Sequence, residues 1–129
     1  MTSAGAGAFE HRALAKTCNS GGKTYACPEA FTTANALEAT LFDEVSVQGI
    51  FRGPDYDAER VNTSYILLFV SSTWTAKVTY WKCAYAGVHS AEGVHSALGE
   101  SDDGYLTYGP HYEIDFHVRH YCDCGGDIP

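Results

Sequence analysis

The stretch HYEIDFHVRHYCDC, His111 to Cys124, crowds histidines, carboxylates, an arginine and two cysteines into a few turns of chain. Imidazole, carboxylate and thiolate are the common protein ligands of transition metals, and His and Glu are also the usual proton-transfer groups. Whether they converge depends on the backbone. In an extended chain side chains alternate faces, so His111, Glu113, Asp115, His117 and Arg119 share one side. Tyr112, Ile114, Phe116, Val118 and His120 share the other. His117-x-x-His120 is therefore no ligand pair, because residues three apart meet only on a helix. His111, Glu113 and His117 could imitate a two-histidine, one-carboxylate site, but metal sites on strands usually draw ligands from more than one strand. The alternation predicts an apolar stripe facing the core and a polar row in water. His111, Glu113, Asp115, His117 and Arg119 are thus expected to form a binding surface, with no metal and no cofactor.

The five cysteines, Cys18, Cys27, Cys83, Cys122 and Cys124, point to an oxidising compartment, with two disulfides and one thiol left over. Cys122 and Cys124 lie on one side of an extended chain and are poorly placed to bond each other. At least one of them is expected to reach back to Cys18 or Cys27. Paired C-x-x-C elements, which a zinc cluster usually shows, do not occur. Cys83 sits within TYWKCAY, an aromatic setting that suits a packed or bonded sulfur better than a nucleophile. The nucleophile-elbow, phosphate-loop and dinucleotide patterns do not occur either. GVHSA occurs twice, bringing His89 and His95, which could bind metal at this spacing, but the segment reads first as a flexible Gly/Ser/Ala loop.

The elements that must carry these residues are legible in outline. Phe31, Ala34, Leu37 and Leu41 fall at helical spacing behind Pro28 and Glu29, which predicts a helix near residues 29–42. EVSVQGIF and TAKVTYWKCAYAG alternate as strands. NTSYILLFV reads as a central strand, GPDYDAER as a loop, and DDGYLTYGPHYEIDFHVRHY as two strands around a Gly-Pro turn. The expected fold is α+β: one N-terminal helix on a curved antiparallel sheet of about five strands, stapled by disulfides. Residues 1–15 are expected to be a flexible lead, and 16–129 a single domain.

Bulk properties restrict the function. A chain of 129 residues, 45% hydrophobic and 13% aromatic, can bury a core. Sixteen acids against eight scattered bases, a formal charge of −8, argue against nucleic acid, which needs clustered cations. The longest apolar run, YILLFV, is far short of the ~20 residues of a membrane helix. The start, MTSAGAGAFEH, has no charged region followed by an apolar run.

Two segments, Tyr25-Ala26-Cys27 and Trp81-Lys82-Cys83, carry an aromatic-x-cysteine pattern. The chain in this respect resembles the secreted [YFW]-x-C effectors of rust and powdery mildew fungi, some of which have a T1-type ribonuclease-like scaffold. GGKTYACPEAFTTANALEATL is loosely similar to that scaffold's hairpin and helix. Arg60 in DAERV matches its arginine strand, while the catalytic histidine strand has no counterpart. The resemblance implies a secreted protein, delivered into host cells, with the ribonuclease chemistry lost. The expected function is that of an avirulence-type effector, a monomer binding a host protein such as a plant immune receptor or another host ligand, without catalysis and without membrane contact. The alternatives are a small secreted enzyme, ribonuclease-like or a metal-dependent barrel enzyme, and a small-ligand carrier or inhibitor.

Overall fold

The computed structural model describes residues 9–35, 42–67, 73–83, 86–101 and 104–119. They form nine strands: β1 (Phe9–Leu14), β2 (Thr17–Ser20), β3 (Lys23–Ala26), β4 (Glu29–Asn35), β5 (Glu44–Gly53), β6 (Tyr56–Tyr65), β7 (Thr73–Thr79), β8 (Gly87–Ser101) and β9 (Gly104–Arg119). All pairings are antiparallel. A three-stranded sheet, β1-β4-β7, faces a four-stranded sheet, β6-β5-β8-β9, and β2-β3 is a separate hairpin. The architecture is an all-β sandwich, and the expected α+β fold is incorrect. Among the described residues there is no helix, and hence none long and apolar enough to cross a membrane.

The helix expected over 29–42 is replaced in its first half by β4; residues 36–41 lie outside the described part. Its sequence supports two periods at once. Phe31 and Ala34 suit a helix, but Ala30, Thr32 and Ala34 also alternate, and all three are completely buried between β1 and β7. Packing on a pleated surface decides between such readings more strongly than local spacing. Glu29, at the start of β4, is buried and held by Lys16 at 2.6 Å and Lys77 at 3.0 Å. The lysines hold the Glu29 carboxyl below its usual range against the opposing and larger single effect of burial.

Phe9, Ala13, Ala30, Ala34, Ala76 and Val78 from one sheet meet Val45, Val47, Phe51, Ala91, Ala97 and Leu106 from the other in one core. The many alanines and glycines on these inner faces bring the backbones close together. NTSYILLFV is not a central strand: its described part lies at the end of β6, an outer strand, while β5 and β8 occupy the middle of the sheet. Most of GPDYDAER belongs to β6 as well, after a turn at Pro54 and Asp55.

β9 is one strand, not two around a turn. A bulge lies at Gly109-Pro110, where the peptide is cis and the register slips between His95↔His111 and Ala97↔Tyr108. Two β9 residues there oppose Ser96 alone, and the inward-facing parity changes. Leu106 and Tyr108 point inward before the bulge; Glu113, Asp115 and Arg119 do so after it. Gly109 is required at this point: its φ is +84°, and a Cβ would lie 2.4 Å from the carbonyl oxygen of His95.

Candidate functional site

The parity change reverses the expected orientation of β9. Tyr112, Ile114, Phe116 and Val118, read as a core stripe, are exposed by 69%, 52%, 61% and 50%. The polar row turns toward β1 and the β2–β3 hairpin instead. Arg119 is buried and donates from Nη2 to the carbonyl of Thr24 at 3.0 Å. The Oδ2 atom of Asp115 accepts the backbone N–H of Ala15 at 2.9 Å. His117 is half-buried opposite His89 in the ladder, and His111 remains exposed with its ring 5.5 Å from that of His11.

Glu113 is the centre of a constellation that draws on three strands. Its Oε1 accepts from Nδ1 of His11 on β1 at 2.8 Å and lies 2.7 Å from Nε2 of His95 on β8. The His11 and His95 rings stack at 4.4 Å, and the three donor atoms lie within 4.8 Å of one another. His95 is wholly buried, whereas the side chains of His11 and Glu113 are 26% and 30% exposed. The cluster therefore sits in the seam where the outer strands β1 and β9 meet, open on one side. Burial first, then the neighbouring His11, pulls His95 down to about 4, with Glu113 opposing. Burial, then the Glu113 charge, raises the Tyr108 phenol beside it. Two imidazoles and a carboxylate at this spacing can hold a divalent cation or relay a proton.

Beyond His117 the same inner face is polar again. Tyr56 Oη lies 2.7 Å from Nδ1 of buried His89, and burial followed by the Asp55 charge raises Tyr56 to about 12. Arg60 lies over the Tyr80 ring at 5.3 Å.

Cys18 bonds Cys27 across the β2–β3 hairpin, so neither is free for Cys122 or Cys124, contrary to expectation. Cys122 and Cys124 lie outside the described residues. Cys83 is disulfide-bonded too. The two aromatic-x-cysteine segments adjoin: Ala26 and Lys82 exchange backbone hydrogen bonds of 2.9 Å, and the Tyr25 and Trp81 rings lie 5.7 Å apart.

His111, Glu113 and His117 do not meet as a trio, since alternate positions on one strand stand roughly 6.5–7 Å apart. Sequence reasoning missed His11 and Thr32, and set His95 aside with the loop reading. GVHSAEGVHSALGE is not a flexible loop but most of β8, with His89 and His95 buried on its inner face. One signal was present: the repeat places its histidines six residues apart, an even number, which on a strand means the same face. No protein-family model matches the chain, and the comparisons with curated proteins and with solved structures give no match.

Proposed function

We propose that the chain is a secreted, disulfide-bonded β-sandwich that acts by binding a host protein, without catalysis, through the outward face of β9. The observation that carries the reading is the apolar stripe itself. Tyr112, Ile114, Phe116 and Val118, joined by Val88 opposite Val118, are 50–69% exposed side by side. Single exposed apolar residues are ordinary; a contiguous row on a sheet is the kind of surface proteins use for partners. β9 is also an outer strand of its sheet, hydrogen-bonded among the described strands to β8 alone. An extended partner segment can add to such an edge while its side chains meet the stripe. The Cys18–Cys27 disulfide supports an oxidising compartment. That the host is a plant rests on the aromatic-x-cysteine resemblance.

The test is a double variant, Ile114→Glu with Phe116→Glu, expressed in leaf tissue beside candidate immune receptors and used as bait against host extract. Wild type is expected to give a response or a reproducible interactor that the variant loses while its thermal midpoint holds. No interactor and no response from wild type, or equal binding by the variant, would refute the reading.

A further inference from the structure

We propose that His11, His95 and Glu113 form a binding site for one divalent first-row transition metal ion, zinc being the probe of choice. The hydrogen-bond bookkeeping around His95 carries the inference. The Thr32 hydroxyl is 3.0 Å from the carbonyl oxygen of Ser46, a group that can only accept, so the hydroxyl proton is committed there. Thr32 Oγ1 is also 2.8 Å from Nδ1 of His95, and with its proton spent it must accept from Nδ1–H. This fixes the neutral ring with its proton on Nδ1 and its lone pair on Nε2.

That lone pair faces a carboxylate. Nε2 of His95 lies 2.7 Å from Glu113 Oε1, yet among the described residues makes no directed hydrogen bond with it or with any other group. The ring is wholly buried, so no bulk water reaches the atom. An acceptor nitrogen pressed against a carboxylate oxygen in the interior is unfavourable unless something positive lies between them. A metal ion fits the remaining geometry. His11 Nδ1, 2.8 Å from the same carboxylate oxygen, supplies a third ligand atom once the proton it shares with Glu113 is released or moves to Nε2. Metal bonds of about 2.0–2.1 Å at tetrahedral angles place ligand atoms about 3.3 Å apart, so the two nitrogen–oxygen separations of 2.8 and 2.7 Å would open by about half an ångström, while all three atoms already lie within 4.8 Å of one another.

The surroundings suit such an ion. The chain Nδ1–H to Thr32 to Ser46 is the type of second contact that orients a metal-bound histidine. Two imidazoles with one carboxylate favour zinc, iron, nickel or copper over the oxygen-seeking calcium and magnesium. Partial exposure of His11 and Glu113 leaves a way in and room for water as a further ligand. The inference stands apart from the outward face of β9, since the cluster lies on the inner side of the same strand.

The experiment uses the full chain with disulfides intact, stripped by chelator and titrated with zinc in a calorimeter. Cobalt absorption serves to report nitrogen–oxygen coordination. One ion per chain at micromolar zinc is expected. His11→Ala and Glu113→Gln, both on the half-exposed side, should each abolish it. Thr32→Val should weaken it by about 10–100-fold, the usual effect of removing an orienting group. His117→Ala, on the same inward row but outside the cluster, should bind as wild type. Absence of stoichiometric binding, or undiminished binding in both His11→Ala and Glu113→Gln, overturns the proposal. Far-UV circular dichroism confirms that each variant is folded before it is scored.

Discussion

Phe116→Ala tests the orientation of β9 directly. Had Phe116 belonged to the core, as alternation alone suggests, its removal would cost about 3–5 kcal/mol in lost transfer energy and a cavity. In the structure Phe116 is 61% exposed, so only about two-fifths of its surface is withdrawn from water. Full burial of a Phe side chain is worth about 1.5–3 kcal/mol, which leaves about 0.6–1.2 kcal/mol for this one. Loss of an aromatic from a strand adds at most about 1 kcal/mol, the span of strand propensities. The internal reference is Phe51→Ala on β5, where exposure is zero and the full 3–5 kcal/mol range is expected. Urea unfolding followed by tryptophan fluorescence, with the disulfides intact, measures both. The expected order is a small shift of midpoint for Phe116→Ala and a large one for Phe51→Ala, at unchanged slope. A loss of 3 kcal/mol or more at Phe116, with little at Phe51, would refute the inverted strand and the proposals built on either of its faces.

Further consequences follow from single contacts. Glu29→Gln removes the charge and turns one of the two oxygens that accept from Lys16 and Lys77 into a donor, and should cost about 1–3 kcal/mol at neutral pH. Because folding lowers the Glu29 pKa below its ordinary value of 4.5, its contribution is complete above that pH and fades as pH falls through the folded value. Acid unfolding of the variant should accordingly show a shallower limb. Tyr56 is shifted the other way, from 10.0 to about 12, so its contribution is complete below pH 10 and is lost as pH rises toward 12. Absorbance titration near 295 nm should show a component ionising near pH 12 that shrinks by one tyrosine in Tyr56→Phe. Gly93→Ala places a Cβ 2.5 Å from Nε2 of His95 and 3.2 Å from the Cβ of Ala13, which should cost about 1–3 kcal/mol by overpacking. Thermal unfolding checks it, with Ala91 as a neighbouring position that already carries a methyl.

The strands were legible where one period was unambiguous. β5 and most of β7 were found because Val45, Val47 and Phe51, and then Ala76 and Val78, are apolar at alternate positions and are buried there, although the second strand was expected to run on past Thr79, where β7 ends. β4 was misread because Phe31 and Ala34 satisfy both periods within a segment too short to separate them. β8 was misread for a compositional reason: its inner positions, Ala91, Gly93 and Ala97, are small because two backbones pack closely there, and small residues on paper resemble a loop. The cluster was half visible. Glu113 belonged to the predicted polar row, but His11 and His95 join it only through pairing across more than a hundred and across 18 residues of chain respectively, which no local pattern encodes.

β9 itself breaks the rule that was used to read it. In a strand with one solvated face, apolar residues belong inside, and a shift of one position exchanges the faces. Here the bulge at Gly109-Pro110 performs that exchange within a single strand, so Leu106 is buried while Ile114 is not. The polar residues turned inward each find something to bond: Glu113 meets His11, Asp115 the amide of Ala15, and Arg119 the carbonyl of Thr24. Those specific contacts, together with the conformation that Gly109 supplies, hold the register against the alternative in which Tyr112, Ile114, Phe116 and Val118 would be buried. Local violations of the binary pattern that persist in a folded protein concentrate where function demands them. On this strand the violation is double, and each half has its own explanation. Among the described residues the inward half is completed by partners within the chain, apart from Nη1 of Arg119 and, facing the row from β8, Nε2 of His95; the second, set against the Glu113 carboxylate, is where the proposed cation belongs. Among the described residues nothing covers the outward half, and on the proposed reading a host protein does so.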